Sequence, residues 1–215
     1  MDALRSALPF LLEGAEVTLV LSAVSLAVGL VLGILAALAR LSRFRPLRVF
    51  AQAYVDIIRG TPLLVQLFLI YYGLPELGIQ IDAFPAAVIG LGMNYGAYLA
   101  EVFRGGLLSV DRGQWEAARS LGMRPGPMIR SIILPQAVRV ALPGVGNYAI
   151  SMLKDTALAS TVTVNELLRQ AQLQVAISFN SFQIYLVVAA MYLIMSFPLT
   201  LVVKRLERWS ARGFA

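Results

Sequence analysis

The sequence predicts an all-α membrane protein that crosses the bilayer five times. Its 215 residues are 59% apolar and only 14% charged, whereas a soluble domain is usually about 45–50% apolar and about 25% charged. Three runs, Val17 to Ala39, Ala83 to Ala100 and Gln170 to Val203, contain no charge over 23, 18 and 34 residues. A span needs about 20 apolar residues to cross the roughly 30 Å hydrocarbon core, so runs of this length indicate transmembrane helices.

The first apolar run is interpreted as a retained helix. It is longer than the apolar core of a signal peptide, and the segment before it carries Glu13 and Glu16 but a single base, Arg5. Cleaved signals begin with a basic stretch. Before the second span, Tyr54 to Arg59 is a short amphipathic entry, and Pro62 suits the first turn of the helix that follows. Within one domain of residues 1–215, the spans are expected at about residues 15–39, 60–75, 84–108, 142–164 and 184–203.

Basic residues are distributed unevenly among the connecting segments. Fifteen lie in segments that we place in the cytoplasm and two in segments that we place outside, while Lys154 lies within a span. By the positive-inside rule, this asymmetry predicts an external N-terminus and a cytoplasmic C-terminus. The net charge of +6 then reflects topology and does not indicate nucleic-acid binding. The cytoplasmic bases are Arg40, Arg43, Arg45, Arg48, Arg59, Arg104, Arg112, Arg119, Arg124, Arg130, Arg139, Lys204, Arg205, Arg208 and Arg212.

The composition also excludes several kinds of active site. The chain has no Cys and no His, which removes thiolate nucleophiles, Ser-His pairs and the usual zinc sites. Lys154 and Lys204 are its only lysines, and neither follows the G-x-x-x-x-G-K pattern of an ATP-binding P-loop. We therefore expect no catalytic residue, metal site or cofactor in this chain, and energy for transport from an ion gradient or from another polypeptide.

A polar cytoplasmic segment, residues 109–139, connects spans three and four. Its central stretch reads EAARSLGMRPGPMIRSIILPQ, starting at Glu116. The spacing predicts a short helix over Gln114–Met123 that Gly122 ends, followed by a second helix, kinked at Pro135, that returns to the membrane. The pattern alone is equally compatible with an ordinary amphipathic loop.

This stretch resembles the EAA loop of the membrane subunits of bacterial ABC importers. The family motif fits EAA at Glu116, glycine at Gly122, isoleucine at Ile132 and Leu-Pro at Leu134. Further resemblances, to permeases for polar amino acids, are carried by YVDIIRGTPLLVQ from Tyr54, YLAEVFR from Tyr98 and GNYAISMLKDT from Gly146. Four motifs in order on five spans identify the chain as similar to the permease subunit of a binding-protein-dependent, type I amino-acid importer.

The resemblance implies a coupling role for the cytoplasmic segment. In such importers the EAA loop forms a coupling helix that docks into a groove on a separate ATPase subunit, which binds ATP and magnesium. Small residues would allow close approach, and Glu116 would pair with a base on that subunit. By position, the docking residues here are Glu116, Ala117, Ala118 and Gly122, with Trp115 and Arg119 beside them.

The resemblance also implies an assembly in the bacterial inner membrane. Two ATPase copies and a second permease, identical or homologous to this chain, would complete the translocation path. An extracytoplasmic amino-acid-binding protein would dock on the outer loops near Leu74 to Asp82 and Asn165 to Asn180.

Polar residues at membrane depth are costly and tend to mark transport paths or paired contacts. Pro143, Gly144 and Gly146 lie in span four and are expected to free backbone groups for a solute, as in broken transporter helices. The candidates for solute contact are Gln66, Asn94, Tyr98, Glu101, Asn147, Tyr148, Lys154 and Asp155.

Several of these candidates have a structural alternative. Glu101 is three residues from Arg104, which favours an interfacial ion pair. Lys154 and Asp155 are adjacent, cannot face each other along a helix, and need partners elsewhere. Asn147 lies beside glycines, which is typical of helix packing. Arg59 precedes the second span and is interpreted as a cytoplasmic anchor.

Two other functions were weighed. An ion-coupled secondary transporter of a small polar solute could use Lys154 and Asp155, but the odd number of spans and the lack of an internal repeat count against it. An intramembrane enzyme would need paired carboxylates, and no D-x-x-D motif is present.

Overall fold

The computed structural model describes residues 2–211, with side chains from Leu4 onward, and all regular secondary structure within that range is helical. Arg212, counted above among the cytoplasmic bases, lies outside the described residues. The fourth span is one long helix, α6, that includes a π-helical turn at Ile129–Ile133 and a 3₁₀ segment at Thr156–Val162. The helices are α1 (Asp2–Arg40), α2 (Arg45–Gly60), α3 (Leu63–Glu76), α4 (Ala83–Leu108), α5 (Arg112–Ser120), α6 (Pro125–Val162), α7 (Leu167–Ser178) and α8 (Ser181–Ala211).

Four helices, α1, α4, α6 and α8, are each long and apolar enough to cross a membrane. Helices α2 and α3 form a bent pair with an angle of 106° between them, and they bring the number of spans to five if they count as one broken span. The predicted all-α, multi-pass class is therefore confirmed. Which ends lie in the cytoplasm stays a prediction.

Close packing of α1 against α4 forms the centre of the bundle. A Cβ atom added to Gly33 of α1 would lie 2.8 Å from the Cβ of Leu99, and one added to Gly96 of α4 would lie 2.9 Å from the Cβ of Leu32. Those separations are too short for real side chains, so glycine at both positions lets the two helix backbones approach each other.

The break in span two is the main departure from the expected fold. We expected one helix over residues 60–75, but the entry helix α2 runs to Gly60, and the chain turns before α3 begins at Leu63. Gln66 bridges the turn because its Nε2 donates to the carbonyl oxygens of Ile58, at 2.8 Å, and Thr61, at 3.1 Å. These bonds satisfy backbone acceptors that a continuous helix would have satisfied internally.

Helix α6 is continuous where we expected it to be broken. Pro143, Gly144 and Gly146 all lie inside its helical part, Leu134–Asp155. Cβ atoms at Gly144 and Gly146 would lie 3.0 Å and 2.5 Å from Cγ atoms of Val102 and Val203. The glycines therefore allow α4 and α8 to pack against α6, and the expectation of free backbone groups at this place was wrong. The irregularity near Pro135 is the π-helical turn that precedes it.

Residues 165–180, expected as a polar connection, contain the helix α7. Its N-cap, Glu166, is completely buried and accepts hydrogen bonds from the backbone N–H groups of Leu168, at 3.0 Å, and Arg169, at 2.7 Å. Tyr192 of α8 donates its hydroxyl to the same carboxylate at 2.8 Å, and Thr18 of α1 lies within 3.5 Å. Glu166 thus links α7 to two spans, α1 and α8.

Candidate solute cavity and coupling segment

A cavity of about 520 Å³ lies where span two is broken. The turn between α2 and α3 forms one wall, and the middle of α4 and the end of the α-helical part of α6 form the others. The break is therefore what opens the bundle at this depth. Its lining residues include Arg59, Thr61, Asn94, Tyr95, Tyr98, Tyr148, Ser151 and Asp155.

Asp155 supplies the negative charge of this cavity. It is the last residue of the α-helical part of α6, and its Oδ2 accepts a hydrogen bond of 2.6 Å from the hydroxyl of Tyr95 on α4. No described residue donates to Oδ1, which leaves that oxygen for an incoming donor. Asp155 thus has the partner on another helix that the sequence required.

Arg59 supplies the positive charge. Its guanidinium carbon lies 5.3 Å from the centre of the Tyr98 ring, within the range of a cation–π contact. The Tyr98 and Tyr148 rings are 5.5 Å apart and form an aromatic wall beside it. The interpretation of Arg59 as only a cytoplasmic anchor missed this position, because it assumed a straight second span.

Glu101 lies outside the cavity. Its carboxylate is surrounded by three arginines, and these four residues together form the arginine cluster. Its carboxylate oxygens lie 2.9 Å from Arg40, 3.3 Å from Arg59 and 2.9 Å from Arg104. The structure therefore contains the ion pair with Arg104 that was the alternative to solute contact, together with arginines from α1 and α2. Arg59 belongs to both places, since it contacts Glu101 and also lines the cavity.

Gln66 and Asn94 brace the break in span two. Gln66 is buried, and its Oε1 accepts from the Nδ2 of Asn94 at 3.1 Å while its Nε2 donates to the turn. Asn94 also lines the cavity. With its amide occupied on both sides, Gln66 is positioned to hold the break rather than to contact a solute.

Asn147 and Lys154 lie on another face of α6. Both are exposed, and neither lines the cavity that contains Asp155. They are seven residues apart, so they share one stripe of the helix. The eight solute candidates are therefore divided among four places: the cavity, the arginine cluster, the Gln66–Asn94 pair at the break in span two, and this exposed stripe.

The predicted coupling helix corresponds to α5, which starts two residues before the expected first residue, Gln114, and ends three residues before the expected last residue, Met123. Asp111 caps its start by accepting from the N–H of Gly113 at 2.7 Å. At its end, Gly122 has φ of +71°, and the N–H groups of Gly122 and Met123 donate to the carbonyl oxygens of Arg119 and Ala118. This is a Schellman motif, in which glycine adopts the left-handed conformation that ends the helix.

The predicted docking residues face in two directions. Ala118 is buried against Met128 and Ile133, and Trp115 packs partly against the same cluster. Glu116, Ala117, Arg119 and Gly122 are exposed. Ala118 and Trp115 thus hold α5 on the helix bundle, and the other four residues face away from it.

Three residues that were not among the predicted site residues are prominent in the structure. Tyr95 holds Asp155, and Ser151 lines the same cavity. Leu121 is 80% exposed at the tip of the coupling segment. Ser151 lies four residues before Asp155 and three after Tyr148, a spacing that places all three on one helix face. No comparable signal marked Tyr95 or Leu121.

Residues 29–213 match the family model described as "Binding-protein-dependent transport system inner membrane component". The chain belongs to this family. It is 44% identical over 209 residues to the L-cystine transport system permease protein TcyB of Bacillus subtilis, covering 95% of this chain and 89% of that protein. It is 42% identical to the glutamine transport system permease protein GlnP of Escherichia coli K12, covering 96% and 95%.

Solved structures agree with the family. A crystal structure of an amino acid ABC transporter with histidines is 40% identical, with a TM-score of 0.91 over 95% of this chain and 96% of that chain. An inward-facing MetNI methionine ABC transporter shares the fold at 22% identity, with a TM-score of 0.75 over 94% and 96%. The predicted resemblance to type I ABC importer permeases is confirmed, and the chain is a multi-pass membrane permease of that family.

Proposed function

We propose that this chain is the permease subunit of an ATP-driven importer of amino acids in a bacterial inner membrane. The observation that carries this proposal is the similarity over nearly the whole chain to permeases named for L-cystine and glutamine. The chain forms the translocation path. A separate ATPase subunit, in two copies, binds ATP and magnesium and supplies the energy.

The cavity at the break in span two suits a zwitterion. Arg59 offers a guanidinium to a carboxylate, and the free oxygen of Asp155 accepts from an ammonium group. Charge-assisted hydrogen bonds of this kind are stronger than neutral ones. Tyr98 and Tyr148 would contact the apolar part of the solute between the two charges. A free α-amino acid carries both charges, which is why this cavity supports amino-acid transport.

The exposure of Lys154 supports the presence of a second permease subunit. It is exposed at the level of the cavity, and its neighbour Asp155 bonds to Tyr95, in the middle of α4. A lysine at the centre of a bilayer costs about 2.5–3.5 kcal/mol on insertion scales. A second permease, identical or homologous, would cover this stripe of Lys154 and Asn147 and enclose a water-filled path.

The exposed side of α5 would dock on the ATPase subunit. Glu116 and Arg119 offer charges of both signs, Ala117 and Gly122 allow close approach, and Leu121 presents an apolar tip. Ala118 transmits movement of α5 to α6 because it packs against Met128 and Ile133. At the opposite side, residues 74–82 and 165–180 would receive the amino-acid-binding protein.

Reconstitution in vesicles tests the proposal. With ATPase subunit, binding protein and ATP, the permease should accumulate a radiolabelled amino acid, whereas the isolated chain should neither transport nor hydrolyse ATP. Asp155→Asn should lower uptake at least about tenfold, since one lost charged contact is worth about 1.5–3 kcal/mol. Asp56→Asn is the matched control, because Asp56 accepts from Gln52 outside the cavity. Uptake by the isolated chain on an ion gradient would instead favour a secondary transporter.

Substitutions at Gly122 test the coupling role. Gly122→Val should uncouple ATP hydrolysis from uptake, because it strains a backbone at φ +71° and adds bulk at the docking side. Gly122→Asn tolerates that backbone but still adds bulk. If both variants uncouple, close approach to the partner is required; if Gly122→Asn transports normally, only the helix end matters.

A further inference from the structure

Three arginines lie unpaired at the elbow between α1 and α2. Arg43, Arg45 and Arg48 are all exposed, and none forms an ion pair with a described residue. No acid occurs between Arg40 and Arg48 in the sequence. The nearest acid along α2, Asp56, already accepts both hydrogen bonds of the Gln52 amide. The elbow therefore presents net positive charge.

An apolar groove of about 560 Å³ runs between α1 and α2 beside these arginines. Leu32, Leu35 and Leu38 of α1 form one side, and Leu47 and Phe50 of α2 form the other. Phe50 is 75% exposed. At one end the groove reaches Ser42, the residue directly before Arg43. Apolar side chains and positive charge thus meet at the mouth of one groove.

The apolar and the basic residues of α2 lie on different faces of the helix. Leu47, Phe50 and Tyr54 follow helical spacing and line the groove, while Arg45 and Arg48 lie on a different face. An amphipathic helix with basic residues on its polar side is typical of the membrane interface, where the apolar side contacts acyl chains. Its position directly after the span α1 is where such a helix meets the headgroups.

The groove has the side chains of a lipid contact rather than of a helix contact. Helices that pack in membranes meet through small residues, and α1 uses Gly29 and Gly33 in that way against α4. The groove side of α1 instead carries leucines, of which Leu35 and Leu38 are more than half exposed. An acyl chain is flexible and fits such a surface, whereas another span would leave gaps.

We propose that the α1–α2 elbow binds an anionic phospholipid, with an acyl chain in the groove and the headgroup phosphate on Arg43 and Arg45. Charge decides between lipid classes, because each arginine near the surface adds attraction for an anionic headgroup and little for a zwitterionic one. Arg48 adds to the same attraction for an anionic headgroup. The elbow also holds Arg40, whose Nε donates to Gln52 at 2.8 Å and whose Nη1 reaches Glu101. A bound lipid would therefore stabilise the arginine cluster.

Native mass spectrometry of the importer, purified with its co-expressed partner subunits, tests this site. The complex is exchanged into micelles containing equal amounts of phosphatidylglycerol and phosphatidylcholine with identical acyl chains. Wild type should retain phosphatidylglycerol preferentially. The double variant Arg43→Gln/Arg45→Gln should retain roughly tenfold less of it, from two lost surface attractions. Arg205→Gln/Arg208→Gln removes the same charge from exposed positions on α8 and should retain the wild-type amount.

A second variant tests the groove without changing charge. Ala39→Phe places a ring among the groove residues and should lower retention of phosphatidylglycerol several-fold while the complex remains assembled. The proposal would be overturned if wild type retained both lipids equally. It would also be overturned if Arg43→Gln/Arg45→Gln and Ala39→Phe both retained as much phosphatidylglycerol as wild type. So would loss of the ATPase subunit from Arg43→Gln/Arg45→Gln with lipid retention unchanged, which would make the elbow a protein interface.

Discussion

Glu101, which is partly exposed, and Glu166, which is buried, are two carboxylates that are stabilised in opposite ways. Glu101 is surrounded by three arginines, from α1, α2 and α4. Among the described residues no cation forms an ion pair with Glu166, which depends on two backbone N–H groups, Tyr192 and Thr18. Both contact α1, at Arg40 and at Thr18, and 22 residues of helix at 1.5 Å each place these contacts about 33 Å apart.

The difference indicates which end of the bundle is fixed and which can rearrange. Backbone N–H groups at a helix N-terminus have one geometry, so Glu166 holds α7 in a single position. Arginine side chains are long, and three of them share two oxygens, so Glu101 can keep one partner while it releases another. Glu101 lies in the last two turns of α4, directly before the segment 109–139 that we propose moves during transport.

The largest effect is expected from Glu166→Ala. This change removes the cap of α7 and leaves the Tyr192 hydroxyl and two partly buried N–H groups without acceptors, at a cost of about 3 kcal/mol in the free energy of unfolding. Thermal unfolding of the detergent-solubilised complex measures it. Glu166→Gln is the control and should cost less, because the amide keeps one acceptor oxygen. A wild-type melting temperature for Glu166→Ala would refute the role of the cap.

Glu101→Gln should lower the free energy of unfolding less but disturb transport more. It leaves three arginines without their counter-ion, of which Arg40 is the most buried at 8% exposure. Because Glu101 is partly exposed, the loss should be about 2 kcal/mol, between the values for buried and surface ion pairs. The destabilisation should shrink as salt is raised from about 0.05 to about 0.5 M, since salt screens partly exposed charges. A salt-independent loss would contradict this account.

Glu166 should make the stability of the protein depend on pH. Burial raises the pKa of Glu166 above the ordinary value of 4.5, against the hydrogen bonds that favour its charged form. The folded chain then binds this proton more tightly than the unfolded chain. The resulting stability is fully present below pH 4.5 and is lost as pH rises through the folded pKa. Melting temperatures across this range should fall in wild type and stay flatter in Glu166→Gln.

The sequence predicted the spans formed by α1, α4, α6 and α8 and the position of helix α5, because these depend on local patterns. Charge-free runs located the spans, and Gly122 with Pro125 located the end of α5. The break in span two was not predicted, since a proline at the start of a helix is equally compatible with one straight span. It is fixed by Gln66, which reaches back across the turn to Ile58 and Thr61. The burial of Glu166 depends on contacts with α1 and α8, about 148 and 26 residues away, and left no local signal.

The smallest effect is expected from Tyr192→Phe, which removes one donor from Glu166 and keeps the ring. One lost hydrogen bond should cost about 1 kcal/mol, less than Glu166→Ala, because the backbone N–H groups still hold the carboxylate. The Tyr192 bond favours the charged form of Glu166, so its loss should raise the pKa of Glu166 further and carry the pH-dependent fall in stability to higher pH. Melting curves of Tyr192→Phe and wild type over the same pH series measure the shift. A fall that moved to lower pH would show that Tyr192 does not stabilise the carboxylate, and Glu166 would then depend on the backbone N–H groups of α7 and on Thr18 alone.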